Sequence, residues 1–235
     1  MTRRGAVALL AGIAASGLSG CQQVGDALIA SVYPAYHQRL IVTVDTPQGV
    51  RTGSSVIAVQ PSARTSEVTG EAVAVDLPGG QTLFVLLRSE VDLDWASSLH
   101  NLIPRGPDEV FDQVSDYYTW VAAQRGTYAI PPTKRYFNKD EVYYPYFVRF
   151  RDIRDPKTVE GVNPEDLGKS FGAGVALKQF AVEFTNSPIT TSILKRLGWL
   201  TDLRGKNLDG TTPYLADGSL SARLNSGDFR RGLAR

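Results

Sequence analysis

Two aspartates and three arginines stand close together in RFRDIRDP, residues 149 to 156. Paired carboxylates can hydrolyse glycosides, since one acid protonates the leaving group while the other attacks the sugar or activates water. Arginine neighbours lower the pKa of a carboxylate and keep it ionised, which is unsuitable for a proton donor. The pattern therefore favours a salt-bridged rim around Asp152 and Asp155, at a turn that Pro156 continues. A periplasmic hydrolase is the less favoured alternative.

Other motifs of catalysis are incomplete. Residues 192 to 195, SILK, match the S-x-x-K of penicillin-binding proteins, but the further elements of that site do not follow. Residues 168 to 170, GKS, lack the earlier glycine of a phosphate-binding loop. The two histidines, His37 and His100, show no metal-ligand spacing. We predict no catalytic residue, no metal site and no cofactor.

Aromatic residues are dense in YAIPPTKRYFNKDEVYYPYF, residues 128 to 147. Such rings can stack on sugars or peptides, and they can equally cover a hydrophobic core. Together with the acidic turn they give a candidate binding surface, which consists of Tyr136, Phe137, Tyr143, Tyr144, Asp152 and Asp155.

These residues need a folded scaffold, and the first half of the chain predicts antiparallel strands. Strand-like runs at 39–45 and 54–59 flank a Pro/Gly turn, and runs at 71–77 and 82–88 flank a second one. Leu83 to Leu87 is apolar without alternation, which indicates a central strand covered on both faces. Two further strands are predicted at 146–151 and 175–184.

Helices are predicted between and after these strands. Pro107 with two following acids is typical of a helix start, and an apolar face continues to Val121. A shorter helix is expected over 92–102, another after Asn163, and a last one after Ser187 and Pro188. The fold class is thus α+β, an antiparallel sheet built from hairpins with helices packed on one side and an irregular C-terminal tail.

The N-terminus has the features of an export signal. Arg3 and Arg4 precede an apolar stretch from Gly5 to Gly20, which suits a signal peptide and is short for a membrane-spanning helix. Leu18-Ser19-Gly20-Cys21 resembles the lipobox of bacterial lipoproteins, and Cys21 is the single cysteine of the chain. The resemblance implies cleavage before Cys21 and lipidation of its thiol. Two or more acyl chains anchor a protein stably.

Charge excludes one class of partner. Without Arg3 and Arg4 the 25 basic residues become 23, against 24 acidic residues, so the mature chain is nearly neutral. Nucleic-acid binding depends on clustered basic residues, and no such cluster is present. We therefore predict no nucleic-acid partner.

A second resemblance covers residues 37 to 200. The stretch 146–200, together with 39–59 and 70–90, is similar to a bacterial domain family of unknown function, which implies a fold and no mechanism. The predicted organisation is a signal peptide over 1–20, a membrane tether over 21–36, one α+β domain over 37–200 and an irregular tail over 201–235. The tail is expected to dock partly through Tyr214, Leu220 and Phe229.

The sequence thus predicts a protein of the cell envelope, anchored by lipid on Cys21 and facing the periplasm, with the outer membrane favoured over the inner. A non-catalytic binding or structural module is the preferred function, with an envelope protein or glycan as partner. An envelope protection or immunity factor is the first alternative, and the hydrolase is the second.

Overall fold

The computed structural model describes residues 32–136, 139–212 and 218–232, and it describes only the backbone of residues 135, 136, 139 and 140. Several predictions fall outside the described residues. They concern the signal peptide predicted over 1–20, Cys21, the side chain of Tyr136, Phe137 and Tyr214. Among the described residues, no helix has the length and apolar character needed to cross a membrane.

Twelve strands form three antiparallel sheets in the described part of the chain. The six-stranded sheet has the order β12-β3-β2-β1-β11-β6, the four-stranded sheet the order β10-β9-β5-β4, and β7 pairs with β8 alone. The strands are β1 Tyr36–Asp45, β2 Arg51–Pro61, β3 Ser66–Glu71, β4 Val73–Leu77, β5 Gln81–Val85, β6 Gly126–Ala129, β7 Thr133–Tyr136, β8 Lys139–Val142, β9 Phe147–Phe150, β10 Val159–Gly161, β11 Ala176–Thr185 and β12 Arg230–Arg231.

Both predicted hairpins are confirmed, as β1 with β2 and β4 with β5. They belong to different sheets, because the predicted strand over 71–77 is interrupted at Ala72, where the chain passes from β3 into β4. The sheets then cross closely: a Cβ added at Gly53 of β2 would lie 2.2 Å from the Ala74 carbonyl oxygen of β4. Glycine is required at that crossing.

A hydrophobic core fills the space between the two larger sheets. Alternate residues of β1 are buried in strict period two, which turns one face of the strand toward this core. The apolar run Leu83 to Leu87 is fully buried, as predicted for a covered central strand. Leu83 and Val85 face the core between the sheets, whereas Phe84 and Leu86 face a second core on the other side.

The α-helices are short. They are α1 Val114–Ala123, α2 Leu167–Phe171, α3 Leu220–Arg223 and α4 Ser226–Phe229, and 3-10 segments occur at Pro78–Gly80, Trp95–Leu102, Pro156–Thr158, Ile193–Lys195 and Gly198–Thr201. The short helix predicted over 92–102 is therefore present as a 3-10 segment. With antiparallel sheets built from hairpins, the fold class is α+β, as predicted.

Three predicted helix starts were wrong. The helix expected at Pro107 begins only at Val114, because the Glu109 carboxylate accepts the Gly106 N–H at 2.7 Å and closes a turn. Asn163 caps no helix; Asp166 caps α2 by accepting the Lys169 N–H. Ser187 starts no helix either, since its hydroxyl accepts from Arg39 Nη2 at 2.6 Å.

The C-terminal segment contributes to the fold. Leu224 and Phe229 are fully buried in the second core, and Leu220 packs against it, which confirms docking through Leu220 and Phe229. β12 pairs with β3, so the end of the chain also extends the six-stranded sheet.

Candidate ligand-binding site

The structure separates the predicted site residues. Tyr143 lines a pocket, whereas the neighbouring Tyr144 packs its ring on Phe180 with centroids 5.5 Å apart. Asp152 lines a different cleft, beside the turn between β4 and β5. The six residues therefore do not form one surface among the parts that can be described.

The pocket at Tyr143 has a volume of about 500 Å³, within the range of small-molecule sites. We call it the Tyr143 pocket. It lies between the loop before the 3-10 segment Trp95–Leu102, that segment itself, and the β7–β8 hairpin. Its lining consists of Ser89, Val91, Asp92, Trp95, Ser98, Asn101, Lys134, Glu141, Val142 and Tyr143.

The loop wall of the pocket is fixed by local hydrogen bonds. The Ser89 N–H donates to the Asp92 carbonyl at 2.9 Å, and the Asp92 N–H donates back to the Ser89 hydroxyl at 2.9 Å. An Asp92 carboxylate oxygen accepts the Asp94 N–H at 2.8 Å. The polar side chains of this wall are thus held in place without a ligand.

Trp95 joins the loop wall to Tyr143, the residue that follows β8. Its indole N–H donates to the Tyr143 carbonyl at 2.7 Å, and its ring stacks on Phe180 with centroids 6.0 Å apart. Because Trp95 is fully buried, it positions the pocket and offers no ring face for stacking on a ligand.

The hairpin wall carries charges of both signs. Lys134 and Glu141 are register partners across β7 and β8, and the Lys134 ammonium lies 5.1 Å from the centroid of the Tyr143 ring. Asp92 adds a second carboxylate from the loop wall. A ligand would thus meet one cation, two carboxylates and several uncharged polar groups.

The buried Tyr143 hydroxyl makes no hydrogen bond of good geometry in the described structure, and the Ser98 side chain is at most a weak partner for it. The adjacent Ser98 hydroxyl donates its own hydrogen to the Trp95 carbonyl at 2.9 Å. Burial raises the pKa of Tyr143 above its ordinary value, a weak hydrogen bond with the Ser98 side chain offsets part of this increase, and the nearby Asp92 carboxylate adds to it. Tyr143 is therefore a neutral phenol at neutral pH and can donate a hydrogen bond to a ligand.

The acidic turn is stabilised by its own contacts. Arg154 donates two hydrogen bonds of 3.0 Å to the carboxylate of Asp152 and thereby lowers its pKa. Asp155 accepts the Lys157 N–H at 3.0 Å. Arg149 and Arg151 both pair with Glu160 and not with the aspartates.

The other residues considered for catalysis are engaged in the fold. The Ser192 hydroxyl donates to buried Glu71 at 2.8 Å, and His100 Nδ1 lies 2.9 Å from the Tyr36 hydroxyl in the core. Across the described ranges, no three His, Cys, Asp or Glu side chains are grouped as a metal ion would require.

No protein-family model, curated protein or solved structure matched this chain. The resemblance of residues 37 to 200 to a bacterial domain family stays a prediction from the sequence. The function is therefore argued from the pocket and from the N-terminal sequence.

Sequence reasoning found Tyr143 through the density of aromatic residues and missed the opposite wall. The signal for that wall is the stretch SEVDLDWASSLHN, residues 89 to 101, in which polar side chains surround a tryptophan. Nothing local in the sequence says that this stretch faces residues 134 to 143.

Proposed function

We propose that this protein is a lipid-anchored module of the cell envelope that binds an envelope glycan, without catalysis, in the Tyr143 pocket. The observation that carries the proposal is the polar lining of this pocket, in which the buried Tyr143 hydroxyl makes no strong hydrogen bond. A buried polar group without a hydrogen bond is costly, and such a cost is commonly retained where a ligand supplies the missing partner.

The lining suits a ligand rich in hydroxyl groups. The Ser98 hydroxyl, the Asn101 amide and the Asp92 carboxylate offer donors and acceptors at short intervals on one wall. Val91 and Val142 are 73% and 70% exposed at the pocket, where they can contact the C–H surfaces of sugar rings. Lys134 can pair with the carboxylates that acidic envelope sugars and their peptides carry.

The ionisable groups of the Tyr143 pocket are better suited to binding a glycan than to hydrolysing it. A general acid for glycoside cleavage needs a carboxyl held protonated near neutral pH, commonly by burial. Glu141 is exposed to solvent, and Asp92 uses a carboxylate oxygen to hold the Asp94 N–H. Tyr143 is buried and neutral, which suits a hydrogen-bond donor and not a base.

The anchoring part of the proposal is supported by the lipobox-like Leu18-Ser19-Gly20-Cys21 after an apolar leader. The folded chain is fixed close behind it, since the Tyr33 carbonyl accepts a hydrogen bond from Gln60 at 2.7 Å. An anchor at Cys21 would hold the domain near the periplasmic face of its membrane, with the outer membrane favoured.

Cys21→Ser tests the anchor. Metabolic labelling with palmitate and detergent partition should show a labelled, detergent-phase protein in the wild type and an unlabelled one in the variant, because the thiol accepts the lipid. Equal labelling of the variant and the wild type would remove the lipoprotein assignment.

Titration with soluble peptidoglycan fragments tests the pocket. Tyr143→Phe should weaken their binding about tenfold, the effect of one hydrogen bond of about 1.4 kcal/mol. Tyr144→Phe is the matched control, since Tyr144 packs against the core outside the pocket, and it should bind as the wild type does. Cleavage of the fragments that depends on Asp92 would instead establish a hydrolase.

A further inference from the structure

A group of partly exposed aromatic rings lies on and before α1, and none of them lines the Tyr143 pocket. Three of these rings, Tyr117, Tyr118 and Trp120, also pack with one side against the first core. Phe111 lies 5.4 Å from Tyr117 and 5.5 Å from Trp120 between ring centroids, and Tyr117 stacks on Trp120 at 5.9 Å. Beside them, Val110 is 79% exposed and Val114 is 52% exposed. We call these five residues, with Tyr118, the aromatic face.

The aromatic face lies where the N-terminal segment joins the domain. The ring of Tyr33 contacts that of Tyr118 with centroids 6.3 Å apart, and Val32 before it is 47% exposed. Ten residues, 22 to 31, separate Cys21 from Val32, a span of at most about 40 Å when fully extended. A lipid on Cys21 would therefore keep this face within about 40 Å of the bilayer.

The composition of the face matches the interfacial region of a bilayer. Tryptophan and tyrosine prefer that region because their rings are apolar and carry one polar group. Trp120 directs its indole N–H to Glu109 at 2.9 Å, and Arg105 lies over the Tyr117 ring at 5.8 Å. Polar groups thus border the apolar surface, as they would at the level of lipid headgroups.

Acidic residues on the same stretch define the kind of lipid. Asp108, Asp112 and Asp116 are exposed around the aromatic face, where Arg105 lies over the Tyr117 ring, and Arg125 is bound to the other end of α1 through the Ala122 carbonyl. Carboxylates repel anionic headgroups and attract the ammonium groups of zwitterionic headgroups. The charge pattern therefore favours zwitterionic phospholipid.

We propose that the aromatic face docks on the zwitterionic surface of the membrane that anchors the protein, and so fixes the orientation of the domain. The inference rests on the proposed lipid anchor for its geometry. It goes beyond that anchor, because a tether alone leaves the domain free to rotate.

The test measures tryptophan fluorescence of the lipidated protein in phosphatidylethanolamine–phosphatidylcholine vesicles that contain phospholipids brominated on the acyl chains. Trp95 is fully buried and Trp199 packs in the second core, so Trp120→Phe identifies the part of the quenching due to Trp120. We expect bromolipid quenching of Trp120, and weaker quenching in vesicles rich in anionic lipid.

The variant Val110→Asp with Val114→Asp should lose most of this quenching while remaining labelled with palmitate. Val50→Asp is the control, since Val50 is 52% exposed, as Val114 is. Val50 lies beyond the far end of β1, which is about 30 Å along the strand from Tyr36. It should be quenched as the wild type is.

The same measurement on Cys21→Ser protein at high vesicle concentration separates docking from anchoring. Quenching of Trp120 in that protein supports docking even if palmitate labelling disproves the anchor. No quenching in either protein, equal loss in Val50→Asp, or self-association of the protein through this face would overturn the proposal.

Discussion

At the scale of single residues, the Tyr143 hydroxyl has opposite consequences for stability and for binding. An unsatisfied buried polar group costs about 1–3 kcal/mol, so Tyr143→Phe should raise the free energy of unfolding by about 1 kcal/mol in the absence of ligand. Chemical denaturation with and without peptidoglycan fragments would show a more stable protein that gains less from the ligand.

Tyr144→Phe again serves as the control. It should neither gain stability without ligand nor lose the stabilisation that the ligand provides. Loss of stability in Tyr143→Phe would mean that the hydroxyl has a partner in solution. It would then give no support to ligand binding in the Tyr143 pocket.

His100 makes stability depend on pH. Burial lowers its pKa from the ordinary value of 6.5, and the Lys134 charge lowers it further, while the Ser97 carbonyl acts in the opposite direction. The unfolded chain therefore binds this proton more readily than the folded chain. The stability contributed by neutral His100 is complete above pH 6.5 and is lost as the pH falls toward the folded pKa.

Melting temperatures between about pH 5 and pH 7.5 should thus fall with acidity more steeply in the wild type than in His100→Gln. The comparison of the two proteins removes the contributions of the carboxylates, which both share. Parallel curves would show that His100 does not control this dependence.

At the scale of elements, the Glu71 side chain holds the segment of residues 187 to 195 against the end of β3. Its buried carboxylate, at the end of β3, accepts the Ser192 N–H at 2.7 Å and the Ile193 N–H at 3.0 Å, in addition to the Ser192 hydroxyl. Glu71→Gln places an amide N–H₂ among these donors and should cost about 1–3 kcal/mol in urea denaturation.

Ser192→Ala removes a single donor and should cost less, about 1 kcal/mol. If Glu71→Gln were as stable as the wild type, the carboxylate would not be what holds this segment.

Local signals in the sequence predicted the hairpins, because a Pro/Gly turn between two β-rich runs brings neighbouring strands together. They did not predict that β1 pairs with β11, whose register joins Leu40 to Val182 across the whole domain. The helix predicted at Ser187 is absent for a related reason. The Ser187 hydroxyl binds Arg39 and the Ser192 N–H binds Glu71, and both partners lie on distant strands. The wall of the pocket opposite Tyr143 was missed because it, too, is a long-range contact.

At the scale of the whole molecule, the segment after Leu200 completes the second core. Phe229 packs edge-on to Phe84 with centroids 6.1 Å apart, and its carbonyl accepts the Ala72 N–H at 2.8 Å. Phe229→Ala should cost about 3–5 kcal/mol, as for other buried aromatic residues. Calorimetry should show one lowered transition, because this core and the four-stranded sheet share Phe84.

Val142→Ala is a suitable control, since Val142 is 70% exposed and should leave the transition unchanged. Two separate transitions in Phe229→Ala would show that the C-terminal segment unfolds independently and that the domain ends near residue 200.

The position of β1 has a mechanical consequence. β1 begins three residues after Tyr33 and is paired on both long sides, with β2 and with β11. A force transmitted from the N-terminus acts along the strand axis and loads both hydrogen-bond ladders in shear, so that many bonds must break together. A force on the C-terminus reaches β12, a two-residue edge strand that can peel away bond by bond. The domain should therefore withstand pulling best at the end that the proposed anchor would load.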